Sequence, residues 1–420
     1  MKVVIIFLAI VFRLQVAIAQ QTYDSLNILR LDYLIGNAIS NNVKLRPVDI
    51  QKRIEIIKKD QVKQPTPIFE VMVDYIPLDF MAKPEYSSFL TQRLVFPVKL
   101  KTLEAVNNIR AKKQDIVKEQ LKVELTRQVK DNYYNLYYYE RLSQFNEEFQ
   151  NIVKNIIKSL ESNYSSGTGT QYQILKMYNE LQMLELEKTD IESNKKAYVN
   201  NLKVITNLNL PDNFHTNGIN EILESRYLLD TLALIAIMVK NNPEFKMIDN
   251  MIETSRIEKN LAEQEKLPDM MLSSGFRYMA KEPMSFVGLS IGIDLPFVPW
   301  NKKRINAMLE EKTTMELQAL SLRQLLIDYM KNDLQSMLIM INTAKNKIDY
   351  LNESVIPQTR QTYYSTVVSY ATSFTDFMSL LDSYRKLRET LQMLVKEETA
   401  LLREYARLES LLGRQLEKQN

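Results

Sequence analysis

The chain has 420 residues, with 54 basic and 51 acidic side chains, 8 glycines, one histidine and no cysteine. Zinc clusters, thiol nucleophiles and disulfides all need Cys, and triads or most transition-metal sites need more than the lone His215. So few glycines, against a usual ~7%, leave no room for a dinucleotide fingerprint or a P-loop, and a net charge of +3 with interspersed basic residues gives no nucleic-acid-binding stripe.

The first element is a run of Met1-Lys2, apolar Val3 to Phe12, and Ala17-Ile18-Ala19 before Gln20-Gln21. That order of charged start, apolar stretch and A-x-A site is a secretory signal peptide, so residues 1–19 are expected to be removed, with Arg13 the one irregularity. Without Cys the mature chain cannot be acylated as a lipoprotein. No later stretch approaches the ~18 to 20 apolar residues of a membrane helix, so insertion in a membrane would have to use β-strands.

An internal repeat organises the rest. Asn41-Asn42 falls on Asn241-Asn242, Pro67 on Pro268 and Pro97 on Pro296, at offsets of 199 to 201. Tyr164 to Gly167 falls on Tyr370 to Ser373, Leu175 on Leu381 and Leu208 on Leu412, at 204 to 206. Residues 20–210 and 231–420 therefore each read as helix, β-hairpin, very long helix, tight turn and long helix, with 211–230 as the linker.

The strands are marked by period-2 alternation. In the first repeat Phe69, Val71, Val73 and Tyr75 alternate with Glu70, Met72 and Asp74. Phe89 to Phe96 returns, with poorer alternation, after a Lys83-Pro84-Glu85 turn, giving a hairpin at about 68–98. The second hairpin, at about 269–297, pairs Met270 to Tyr278 with Val287 to Leu295 across a turn at Met279 to Ser285. Strands of ~9 to 11 residues can cross a bilayer when tilted, and Phe, Tyr and Met near their ends suit an interfacial girdle. A small soluble sheet has the same periodicity. From Lys99 to about Asn163 there is no Gly or Pro and apolar residues recur at helical spacing, on the order of 95 Å of helix. Lys302 to Ile356 repeats this until Pro357, which is expected to kink or interrupt it. Ser/Thr/Gly turns then lead to antiparallel helices at 171–208 and 376–412.

These landmarks resemble the TolC family of outer-membrane efflux channels over essentially the whole mature chain. The residues that carry the resemblance are Asn241-Asn242-Pro243-Glu244, Leu267-Pro268-Asp269 before a strand, Leu289 to Phe297 followed by Asn301-Lys302-Lys303-Arg304, and the Tyr164 to Gly167 turn. The resemblance implies a mostly α fold with a transmembrane β-barrel portion. In it, a homotrimer joins four strands per protomer into a shared β-barrel and duplicated helical hairpins into an α-barrel tunnel. It implies a Gram-negative outer-membrane location, contact with outer-membrane lipid, and a linker 211–230 in an equatorial belt, where His215 reads as a surface residue. The implied partners are a periplasmic adaptor (membrane fusion) protein and an inner-membrane pump of the resistance-nodulation-division or ABC type. No cofactor, metal or nucleic acid is expected.

The turns 164–170 and 370–376 are then the periplasmic tips. Gly167 and Gly169 supply positive-φ conformations, and Asp376 or Thr375 is placed as an N-cap. The resemblance makes Tyr164, Ser165, Ser166, Gly167, Tyr370, Thr372 and Ser373 candidates for adaptor contact. The family's constricting aspartates fall on Ser379 and Asp382, and a basic closing residue falls on Thr375. Only Asp382 keeps the type, so a ring of Asp382 with Asp376 is the expected substitute. The reading is a passive conduit without enzyme activity. Two others stay open: a periplasmic structural or scaffolding protein of long helical hairpins, and a soft-metal exporter using the 19 methionines, though Met330, Met337 and Met340 sit at helix-seam spacing where Met fills cores.

Overall fold

The computed structural model describes residues 30–75, 85–224, 227, 230–279 and 284–416. The expected signal peptide, Lys83-Pro84 and the centre of the 279–285 turn lie outside them. In chain order the elements are α1 (Leu31–Asn41), α2 (Arg46–Asp60), β1 (Ile68–Tyr75), β2 (Glu85–Leu94), α3 (Pro97–Ser165), α4 (Gln171–Thr206), α5 (Ile219–Leu223), α6 (Thr231–Asn241), α7 (Pro243–Gln264), β3 (Met270–Met279), β4 (Met284–Ile293), α8 (Pro299–Tyr350), a π-helical turn (Leu351–Val355), α9 (Ile356–Ala371) and α10 (Phe377–Leu412). No helix among the described residues is long and apolar enough to cross a membrane.

The chain divides into two compact units, each assembled from both halves of the sequence. The unit of residues 44–120 and 243–328 holds the sheet. Its strands form an antiparallel meander, β1-β2-β3-β4, so the two hairpins join through β2 and β3, in register from Tyr86 opposite Tyr278 to Leu94 opposite Met270. β2 begins at Glu85, four residues ahead of the expected Phe89: Tyr86 to Ser88 are paired with β3 on one side and β1 on the other, and Glu85 with Tyr75 of β1.

Register sorts the side chains onto two faces, since neighbours in a strand point to opposite sides. Phe69, Val71 and Val73 of β1, Tyr86 and Leu90 of β2, Leu272 and Phe276 of β3, and Val287, Leu289 and Ile291 of β4 share one face, and all of these are exposed. The other face is mixed: Glu70, Ser87, Thr91, Ser273, Gly275, Arg277, Gly288 and Ser290 share it with Met72, Phe89, Met271 and Phe286, and the Thr91 and Ser273 hydroxyls lie 2.9 Å apart. Gly275 lies under the Phe89 ring, where an added Cβ would come within 2.3 Å of Phe89 Cδ1. At the helix end of the sheet, Asp269 accepts from Lys99 Nζ at 2.9 Å and from the Phe96 amide at 3.2 Å, and Arg93 reaches Asp294 at 3.2 Å.

In the same unit α2, the first part of α3, α7 and the first part of α8 are stitched by polar contacts. Lys52 pairs with Asp115 at 2.7 Å and Lys118 with Asp49 at 2.6 Å, which ties α2 to α3. Asn250 donates to the Ile109 carbonyl at 3.2 Å, tying α7 to α3, and Arg323 pairs with Asp249 at 2.8 Å, tying α8 to α7.

The other unit, 30–43, 121–242 and 329–416 of the described residues, contains two hydrophobic clusters. One packs Phe145, Phe149 and Val153 of α3 with Met177 and Leu184 of α4, Tyr363 of α9 and Leu380, Tyr384 and Leu391 of α10. The second packs Leu34 and Ala38 of α1 with Val129, Tyr133 and Leu136 of α3, Leu202 of α4, Phe214 and Ile219 of the linker and Leu402 of α10. Buried positions in α10 recur three or four residues apart from Phe377 to Leu412, apolar except where Thr399 bridges Val395 and Leu402, one continuous stripe of an amphipathic helix. Met330 and Met337 are buried, as core fillers are, whereas Met340 of the same spacing is exposed.

Corresponding elements of the two halves match in detail here. α1 and α6 each have 11 residues and end before an asparagine. Asn42 donates its side-chain amide to the Ile205 carbonyl at 2.8 Å, and Asn242 donates to Leu411 at 2.8 Å. α4 and α10 each have 36 residues and end in left-handed residues, Asn207 and Gly413. The interruption expected at Pro357 takes the form of a π turn and not a chain reversal. The chain widens just before the proline, where the Ile356 amide bonds to Leu351, which leaves room for a ring that would clash in a regular α-helix.

Candidate functional site

Both hairpin turns rest on the same backbone device. After α3, the Thr168 amide reaches back to the Asn163 carbonyl at 2.9 Å and the Gly167 amide to Tyr164 at 3.0 Å; after α9, Phe374 bonds to Ser369 at 2.8 Å and Ser373 to Tyr370 at 3.1 Å. Each is a Schellman-type close, in which a left-handed residue turns the chain and satisfies the last carbonyls. The left-handed residue is Gly167 (φ 80°) in one turn and Ser373 (φ 60°) in the other. Gly169, expected at positive φ, does not adopt one; glycine is needed there because a Cβ would sit 2.9 Å from the Tyr164 nitrogen.

The expected adaptor-contact residues all fall at these turns. Ser165 donates to the Glu161 carbonyl at 2.8 Å, Ser166 to Asn163 at 2.9 Å and Thr372 to Val368 at 2.9 Å, so their hydroxyls also close helix ends. Tyr164 is exposed, while Tyr370 packs edge-on against Phe377 with ring centres 6.4 Å apart. Sequence reasoning passed over Phe374, which is 88% exposed at the position where the first turn has Thr168.

Among the four gate candidates, Asp376 is the N-cap of α10, accepting from the Ser379 amide at 2.8 Å. That bond holds its carboxyl below the usual carboxylate range; slight desolvation opposes the effect, and the Ser379 hydroxyl and Met378 amide reinforce it. Asp376 is therefore charged at neutral pH. Thr375 and Ser379 line a groove of ≈ 550 Å³ with Gln361, Thr362, Ser365 and Ser369 of α9, which holds hydroxyls and amides and no charged side chain. Asp382 is exposed farther along α10, outside that groove. The next basic residues are engaged elsewhere: Arg385 pairs with Glu180 and Arg388 with Glu187 of α4, and Gln392 adds a bond to Glu187 at 3.0 Å. These links clip the second hairpin to the first. Residues about 200 positions apart gave the sequence no local signal for them.

In the linker, His215 is largely exposed, as expected, and its Nδ1 lies 3.0 Å from Glu140 Oε1. Glu140 also accepts from the Thr216 amide at 3.2 Å and from its hydroxyl. The lone histidine thus helps a carboxylate of α3 fix the linker. Among the described residues no group of His, Asp and Glu is arranged to hold a metal ion.

No family model and no curated protein matches the chain by sequence. Solved structures do match. CusC, whose structure concerns folding and transmembrane channel formation, is similar over 92% of this chain and 92% of its own, at 16% identity and a TM-score of 0.78. The outer-membrane protein VceC of Vibrio cholerae matches over 92% and 97%, at 12% identity and 0.73. The open-state outer-membrane channel MtrE of Neisseria gonorrhoeae matches over 92% and 89%, at 12% identity and 0.68. With both hairpins and the four-stranded meander in place, the chain has the fold of these outer-membrane channels, which is the fold its resemblance to the TolC family implies.

Proposed function

We propose that the protein is the outer-membrane channel subunit of a tripartite efflux or secretion system in a Gram-negative bacterium. Three copies combine their sheets into one barrel and their hairpins into a tunnel, and an adaptor and an inner-membrane pump deliver substrate to the hairpin tips. Each protomer is a duplicated unit, residues 20–210 and 231–420, behind a signal peptide of residues 1–19. The observation that carries this reading is the sheet, with one apolar face exposed across all four strands and two unpaired edges, β1 and β4. An open sheet of this kind cannot rest in lipid, where each unpaired backbone group costs several kcal/mol, unless other copies close it. The same face in water would be an aggregation site.

The protein performs no chemistry in this reading; docking at the tips shifts the hairpins between closed and open arrangements. Tyr164, Ser165, Ser166, Gly167, Tyr370, Thr372 and Ser373 form the surface the adaptor meets. Asp376 and Asp382, both exposed on α10, repeat three times around the mouth and favour cations there. Membrane fractionation and planar-bilayer recording test this. The expected result is a detergent-requiring trimer in the outer-membrane fraction that conducts ions, with cation selectivity reduced in an Asp376→Ala, Asp382→Ala double variant. A water-soluble monomer without conductance would establish the scaffolding alternative, and unaltered selectivity in the double variant would remove the acidic ring.

A further inference from the structure

The apolar face of β4 does not stop where the strand does. Val287, Leu289, Ile291, Ile293 and Leu295 are all exposed, and the turn into α8 adds Phe297 and Trp300, the latter 75% exposed. Trp300 is the only tryptophan in the chain. Two and three residues on come Lys302 and Lys303, both exposed and without an ion pair among the described residues. The acidic groups nearby are taken: Asp269 by Lys99, Asp294 by Arg93 and Glu265 by Arg304 at 3.7 Å. The first repeat lacks this arrangement: it has no tryptophan, Lys99 is buried against Asp269, and Lys101 alone is left exposed after the strand.

An unbroken apolar line, then an amphipathic ring, then unpaired positive charge follows the polarity profile of a bilayer from hydrocarbon to headgroup. The geometry points to a lipid-anchoring site in the β4–α8 turn, in which Phe297 and Trp300 lie at the headgroup boundary and Lys302 and Lys303 bind anionic phospholipid headgroups. The inference rests on the sheet being membrane-inserted and adds to it a specific lipid contact, present once per protomer.

The lone tryptophan makes the site directly observable. Full-length protein is reconstituted in vesicles of phosphatidylethanolamine and phosphatidylglycerol, and Trp300 emission is recorded with brominated lipids. Bromines near the headgroup are expected to quench it more than bromines deep in the acyl chain. Brominated phosphatidylglycerol is expected to be preferred over brominated phosphatidylcholine by up to about 25-fold, about fivefold for each of the two lysines near an anionic surface. In Lys302→Ala, Lys303→Ala protein that preference falls towards one while depth-dependent quenching persists. Protein that floats with the vesicles but shows water-like, unquenched Trp300 emission overturns the anchor and leaves the channel reading standing. Quenching without headgroup preference overturns the role of the lysines. Failure to float with vesicles overturns both readings.

Discussion

Asn42 and Asn242 stand 200 positions apart, and each passes its side-chain amide to a carbonyl near the end of the returning helix of its own half. The last carbonyls of a helix lack intrahelical partners, so each asparagine satisfies a group that burial would otherwise leave bare. Asn242 is 4% exposed. Asn242→Ala is therefore expected to destabilise by about 1–3 kcal/mol and Asn42→Ala, which is half-buried, by less, as read from denaturant unfolding in detergent. The sequence flagged both residues as repeat landmarks without disclosing the bond, because its acceptor lies on another helix. Asp269 works by charge. Burial raises its pKa, but the Lys99 hydrogen bond, the Phe96 amide and the charges of Lys99 and Arg93 outweigh burial, leaving the pKa below its ordinary value. A depressed folded pKa gives stability that is present above the unfolded value, about pH 4, and lost as pH falls through the folded one. Melting temperature should thus fall as pH drops below about 4. Asp269→Asn should be less stable at neutral pH, because Lys99 is left buried without its counter-ion, and should show a shallower decline in acid.

Long helices were the most legible elements, because propensity and periodicity act locally: α3 runs from Pro97 to Ser165 where the sequence outlined Lys99 to about Asn163. Pro357 was expected to kink or interrupt the helix, and the regular α-helix is interrupted just before it by a π turn at Leu351–Val355, where Leu351, Ile356 and Tyr363 pack into one cluster with α10. If the proline holds the wide turn, Pro357→Ala should let a regular α-helix form and slow amide hydrogen exchange across 351–356. Unchanged exchange would show that packing against α10 sets the turn by itself. Strand β2 was misplaced at its start. Its first residues, Glu85 to Ser88, have weak strand patterning, and Tyr86 to Ser88 are paired on both sides.

For the whole molecule the decisive term is the exposed apolar face of the sheet. Leu289 is 79% exposed near the middle of β4, and on a lipid-facing surface an arginine there should cost roughly 2–4 kcal/mol if it lies near the bilayer midplane. Leu289→Arg is expected to reduce the yield of assembled trimer in the membrane fraction, measured by semi-native electrophoresis, whereas Ser290→Arg, on the opposite face, should assemble and alter conductance instead. The hairpin tips carry the complementary lesson. Their turn residues were readable because left-handed geometry selects Gly or its few substitutes, and Asp376 because an N-cap needs a short acceptor. By itself the sequence determined the elements, their duplication and the two-faced strands, since all follow from short-range steric and polarity patterns. Only the tertiary structure decided that the hairpins join through β2 and β3, that Arg385 and Arg388 clip α10 to α4, and that Asn242 closes Leu411. Those contacts link residues far apart in the chain, and their partners are chosen by packing and register, which no local pattern encodes.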